Sequence, residues 1–184
     1  MLSLSARPER SAAVLLLMVP AWIVLALLVN TSQFGDHFEQ YTWAQSLELG
    51  YFKHPPLPTW VLGAVLRLCG PWPGWPLLLA GLATTFTGLL LFLIARQLLG
   101  APAAVLALLC WGLTQSSTTR AQLWNHNTTM LLCQAGAAWL ALQALQRRRL
   151  GWWLATGVLA GLALLSKYQA VLGLAGILVA LSGC

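Results

Sequence analysis

Six apolar runs follow one another along this chain, at 12–29, 75–94, 101–113 with a polar extension to Thr119, 128–145, 151–165 and 169–184, and none contains a charged residue. An uncharged apolar helix of about 18 to 20 residues, rising ~1.5 Å per residue, crosses a hydrocarbon core of roughly 30 Å. Of the 184 residues 59% are hydrophobic and 8% charged, where a soluble domain is about one quarter charged. A water-facing surface cannot be built from that inventory, so lipid is the solvent for most of the chain. The sequence predicts an all-α, polytopic membrane protein of about six transmembrane helices, with juxtamembrane helices in its first outer loop. The whole chain, 1–184, reads as a single membrane domain.

The net charge of +6 comes from Lys and Arg scattered singly between apolar runs or gathered in one short cluster. That is a membrane pattern rather than a basic groove, and no nucleic-acid partner is expected. Cys69, Cys110, Cys133 and Cys184 form no C-x-x-C pair and read as small core residues. The run after Arg7 and Arg10 exceeds the ~7 to 15 residues of a signal-peptide core and has no A-x-A site after it, so it reads as an uncleaved first helix.

The longest segment outside the apolar runs is 30–56, and it holds Asp36, Glu39 and Glu48, three of the four acidic residues. Just after it, Leu57, Trp60, Val61, Ala64, Val65 and Leu68 recur at helical spacing over about 13 residues. This one-sided stripe predicts an interfacial helix rather than a span, and 30–70 together form the outer loop. The positive-inside bias places Arg7, Arg10, Arg96 and Arg147, Arg148 and Arg149 in the cytoplasm, with Lys53, Arg67, Arg120 and Lys167 outside. Alternating spans then bring Asp36, His54, Arg120, Asn125, His126, Asn127 and Lys167 to one outer face. A shared face permits a shared site.

The stretch from Asp36 through Tyr51-Phe52-Lys53-His54-Pro55-Pro56-Leu57 resembles the first outer loop of bacterial glycosyltransferases related to protein O-mannosyltransferases, the GT-C class, and most of all the lipopolysaccharide galacturonosyltransferase-like proteins. Asn125-His126-Asn127 and the run Gly161 to Tyr168, with Ser166-Lys167, continue the resemblance. His37-Phe38 departs from the family pattern, in which an acidic residue often follows the Asp. The later spans of such families are lacking, so the chain is expected to be the N-terminal part of a longer fold.

The resemblance implies inverting transfer of a sugar from a polyprenyl-phosphate carrier to a hydroxyl acceptor (lipid A, a glycan or a protein) on the outer side of the inner membrane. An attacking hydroxyl must lose its proton, and a carboxylate within hydrogen-bond reach takes it; Asp36 is the candidate base. The departing phosphate needs donors or cations, and Lys53, His54, Arg120, Asn125, His126, Asn127 and Lys167 are the donor-phosphate and substrate-binding candidates. Each has a plainer role open to it. Asp36 is placed to cap a helix beginning near Phe38, His54 to satisfy a turn, and Asn125, His126 and Asn127 to form a polar helix start. Arg67 and Lys167 are placed to snorkel toward headgroups, although an ionisable residue between apolar runs is a functional signal.

Neither His54 nor His126 has a ligand-spaced partner, and the reading calls for no metal and no cofactor. The ten Trp, among them Trp72, Trp75, Trp124, Trp152 and Trp153 near predicted span ends, read as interface anchors. The expected partners are membrane lipid, a polyprenyl-phosphate-linked sugar and a hydroxyl acceptor. A transporter or flippase for a lipid-linked substrate, with the same polar residues lining a passage, is the alternative, as is an inactive fragment.

Overall fold

The computed structural model describes residues 8–29 and 34–182. Arg7, the start of the polar turn expected from Asn30, and Cys184 lie outside the described residues. Within them the chain is all-α: α1 (Pro8–Val29), α2 (Gly35–Trp43), α3 (Leu57–Cys69), α4 (Trp75–Leu99), α5 (Ala101–Gly112), α6 (His126–Arg147), α7 (Leu150–Ser166) and α8 (Ala170–Ser182). The 13-residue helix expected from the apolar stripe is present as α3.

Among the described residues three helices are long and apolar enough to cross a membrane: Ser11–Val29, Trp75–Leu99 and His126–Arg147. The structure does not bear out the count of six, because α5, α7 and α8 have 12, 17 and 13 residues. At 1.5 Å per residue these reach about 18, 26 and 20 Å, short of a core of roughly 30 Å. The polar extension to Thr119 does not lengthen α5. Thr114 Oγ1 and Ser117 Oγ both turn back onto the Trp111 carbonyl, and this competition between hydroxyl and backbone breaks the helix into turns. Conversely, α4 runs on past Ile94 to Leu99, because Gln97 Oε1 accepts a hydrogen bond of 2.8 Å from Gln143 Nε2 on α6. It stops at Gly100, whose φ of 88° suits a residue without a Cβ.

Three apolar clusters hold the helices together. Ala12 of α1, Phe92 and Ala95 of α4, and Ala104, Val105 and Leu108 of α5 form one; Ala44, Leu62, Ala80, Ala83 and Trp124 form the second; Cys133, Ala163 and Ala170 form the third. Small residues bring backbones close, as is usual where lipid removes the hydrophobic drive between helices. Gly81 of α4 lies directly against Ile23 of α1, with no room for a Cβ. Gly81→Val is therefore expected to push α1 from α4 and destabilise the fold by about 1–3 kcal/mol. Gly157→Val, where a Cβ meets nothing within 4 Å, serves as control. Thermal unfolding midpoints of the detergent-solubilised proteins check this, and equal midpoints would refute the close contact.

Two sequence expectations change in the folded chain. Trp124 is no boundary anchor: it is 4% exposed, and its Nε1 donates to the Pro58 carbonyl at 3.0 Å. Of the cysteines among the described residues, Cys133 is buried, while Cys69 and Cys110 are exposed.

Candidate functional site

The first turn of α2 carries Asp36, and Glu39 and Gln40 follow it on the same helical face. Asp36 does not cap this helix. Phe34 occupies the N-cap position, so the helix begins earlier than expected and the carboxylate lies one residue inside it. That carboxylate instead accepts a 2.7 Å hydrogen bond through Oδ2 from Asn125 Nδ2, 89 residues later.

Asn125 is the true cap of α6. Its Oδ1 accepts from the backbone N–H groups of Asn127 at 2.9 Å and Thr128 at 3.2 Å, so the amide is fixed at one end and aimed at Asp36 by the other. The capping role expected for Asn125 is thus observed, and the same side chain reaches Asp36. Asn127 accepts a 2.7 Å hydrogen bond at Oδ1 from Lys167 Nζ, which ties the end of α7 to the start of α6. Lys167 forms no ion pair among the described residues. Lys53 does, with Glu39 Oε1 at 2.5 Å.

His54 is held by a short backbone bridge to Tyr51, and its ring stacks on His126 at 3.8 Å between centroids. Trp43 closes edge-on against both imidazoles and stacks on Tyr51. His54 thus does more than satisfy a turn. Burial lowers its pKa from the ordinary value, and the neighbouring Lys167 and Lys53 lower it further, against smaller raising effects from Glu39 and Asp36. His126 is 4% exposed and its Nε2 has no hydrogen-bond partner in the structure.

These groups surround a cavity of about 100 Å³ lined by Asp36, Glu39, Gln40, Lys53, His54, Asn125, His126, Asn127 and Lys167. The structure thus brings together the candidates named from sequence except Arg120 and Arg67. Arg120 lines an adjoining cavity of about 230 Å³, whose wall shares Asn125 and Asn127 with the first. Arg67 lies exposed in the last turn of α3 and reaches neither. Among the described residues no three His, Cys, Asp or Glu side chains come together as a metal site.

Sequence reasoning missed Glu39, Gln40, Trp43 and His37. The three-and-four spacing from Asp36 on α2 was the available signal for Glu39 and Gln40. His37 is fully buried behind the site, where its Nε2 accepts from the Trp124 N–H at 3.2 Å. Burial pushes its pKa down to about 4, against smaller raising effects from a backbone hydrogen bond at Gln122 and from Asp36. A neutral imidazole here docks α2 on the segment that leads into α6.

Residues 53–183 match the family described as dolichyl-phosphate-mannose-protein mannosyltransferase. The chain belongs to this family. Lipid A galacturonosyltransferase RgtD of Rhizobium johnstonii is 30% identical to it over 175 residues, 94% of this chain and 37% of that relative. The resemblance carried by the outer loop, by Asn125-His126-Asn127 and by the Lys167 segment is thereby borne out. Neither match favours a transporter. The chain spans well under half the length of RgtD, and no solved structure matches it.

Proposed function

We propose that this chain forms the catalytic face of an inverting glycosyltransferase that moves a sugar from a polyprenyl-phosphate carrier to a hydroxyl acceptor. One observation carries the reading. Asp36 and Lys167 line the same cavity, yet each is held by a neutral amide, Asn125 and Asn127, rather than by an opposite charge. A base and a cation that neutralised each other would serve neither end of a displacement. Kept apart, they serve both.

The acceptor oxygen attacks the anomeric carbon from the face opposite the phosphate. Its proton passes to the Asp36 carboxylate as the bond from carbon to phosphate oxygen breaks, and the carrier leaves as a polyprenyl phosphate anion. Lys167, with Lys53, His54 and Arg120, supplies the cationic and hydrogen-bonding surface where that charge develops. Asn125, His126 and Asn127 position the sugar and the phosphate, and the buried Nε2 of His126 is the group there still without a partner. A lipid acceptor such as lipid A, which RgtD is named for, fits a site at the end of apolar helices.

In this reading the protein lies in the inner membrane with its N-terminus in the cytoplasm. Segment 30–70 and the cavity face the periplasm, and the chain is one membrane domain of a longer GT-C fold. The topology is checked by thiol labelling from either side of sealed membranes. A thiol introduced by Ser46→Cys and the native, exposed Cys69 should both label from the periplasmic side, because α3, at 13 residues, does not cross. Labelling of the two from opposite sides would make α3 a span, and labelling of both from the cytoplasm would invert the orientation.

A further inference from the structure

The Asp36 cavity holds about 100 Å³, room for roughly three waters and well below the ~300 to 1,000 Å³ of a pocket that encloses a small-molecule ligand. A wall must therefore move before a sugar enters. Most of the walls are fixed. α2 is held from behind by His37 on Trp124 and by a buried hydrogen bond of 2.9 Å from Thr59 Oγ1 to Gln40 Oε1. Asn125 is locked by its capping role and Asn127 by Lys167. The remaining wall, Lys53 and His54, belongs to segment 44–56 between α2 and α3, which forms turns and no helix.

This segment is anchored at its ends and loose between them. Ala44 at one end and Pro55 and Pro56 at the other are buried, while residues 45–50, 52 and 53 are exposed. Its tip is tied to itself: the Tyr51 and His54 backbones exchange hydrogen bonds of 3.0 and 3.2 Å, and Tyr51 Oη donates to the Ser46 carbonyl at 2.8 Å. Contacts with the helices are of a weaker kind. They are an exposed hydrogen bond from Trp60 Nε1 to the Glu48 carbonyl, the partly exposed Lys53–Glu39 ion pair, and ring contacts of Tyr51 and His54 with Trp43 and His126. Beneath the tip lies His126 Nε2, the buried polar side-chain atom that lacks a hydrogen-bond partner among the described residues, covered by the His54 ring. A dry, unpartnered imidazole nitrogen is costly while covered and becomes a binding group once the cover lifts.

We infer that segment 44–56 is a strap that gates the cavity, clasped by Lys53 to Glu39 and plugging the space over His126 Nε2 with His54. When the clasp opens, His54 leaves with the tip, the space its ring filled joins the cavity, and His126 Nε2 faces whatever enters. That a sugar enters rests on the transferase reading above; that the strap moves does not.

Carbethoxylation by diethyl pyrocarbonate, which acylates neutral imidazole, tests this on the purified full chain in detergent, read by mass spectrometry and without turnover. The chain has three histidines, and each reports a different event. His54 rides on the strap, His126 lies under it, and His37, fully buried behind the site, reports loss of the fold as a whole. Glu39→Ala opens the clasp. Glu48→Ala removes a charge from the same strap that makes no ion pair among the described residues, and serves as control. His54→Ala removes the plug itself.

Wild-type His126 is expected to react at least about tenfold more slowly than His54, because it is reached only through local opening. Glu39→Ala should raise the His126 rate about two- to fivefold, the range an exposed ion pair is worth, with His37 unchanged and Glu48→Ala like the wild type. About 1 M salt should speed His126 in the wild type and not in Glu39→Ala, since it screens the same clasp. If Glu39→Ala fails to fold, His54→Ala decides, with a His126 rate at least about tenfold above the wild type. Reaction of wild-type His126 as fast as His54, a wild-type rate in folded Glu39→Ala or His54→Ala, or a rise at His37 in step with His126 would each overturn the strap. Because no transfer is measured, active Asp36→Asn would remove the general-base reading and leave the strap standing.

Discussion

Asp36→Asn is expected to lower sugar transfer by roughly 10²- to 10⁴-fold, the usual contribution of general-base catalysis, while the protein inserts and accumulates normally. The geometry makes the substitution clean. Among the described residues the Asp36 carboxylate accepts its hydrogen bond from Asn125 Nδ2, and an asparagine carbonyl oxygen at that position can still accept it, though without the charge. The side chain does not cap α2, so no backbone N–H loses a partner. What disappears is the basic oxygen that takes the acceptor's proton. Transfer from a polyprenyl-phosphate sugar, measured in membranes carrying equal amounts of each variant, checks it. Turnover at the wild-type rate would leave Asp36 as an anchor between α2 and α6 and nothing more.

The second large effect concerns stability. His37→Leu deprives the buried Trp124 N–H of its acceptor, which costs about 1–3 kcal/mol at neutral pH. It should also change how stability depends on pH. Burial holds the His37 pKa at about 4 in the fold, below its ordinary value near 6.5, so the unfolded chain takes up the proton first. The neutral imidazole's contribution is therefore complete above about pH 6.5 and is lost as pH falls toward 4, an effect of about 3 kcal/mol in all. The leucine variant lacks this titration. The gap between the two proteins' unfolding midpoints should narrow on acidification from pH 7 to 4; a gap independent of pH would show that His37 is not the titrating group.

His37 also marks where the sequence stops being legible. Its departure from the family pattern was visible, but its role depends on the backbone of Trp124, which lies 87 residues away. Local features were readable because they follow from local physics: the stripe on α3 fixes that helix, and the expectation of a shared face for Asp36, Asn125 and Lys167 agrees with the one cavity that they line. Contacts were not readable. Nothing in the chain's order says that Asn125 rather than Lys167 meets Asp36, or that Gln143 reaches Gln97 and so extends α4. Helix lengths were misjudged where hydroxyls compete for carbonyls, as Thr114 and Ser117 do after α5. Arg120 was grouped with the other outer cations because sidedness sets the face a residue shares, not the cavity it lines.

The hairpin of α6 and α7 acts as a gauge. Only Arg148 and Arg149 separate the two helices, and Arg148 takes a left-handed φ of 48° to make the reversal. From Asn127 to the turn the chain climbs about 30 Å, and from the turn to Ser166 it descends about 24 Å, at 1.5 Å per residue. The four-carbon stem of Lys167 takes up the difference and delivers its ammonium to Asn127 at 2.7 Å. One residue added to either helix would offset the clasp by about 1.5 Å along the axis and turn its bearing side chain through about 100°. Length is therefore under tighter constraint than composition in this pair: leucine and alanine can trade places along its lipid face, while the number of residues between Asn127 and Lys167 cannot drift.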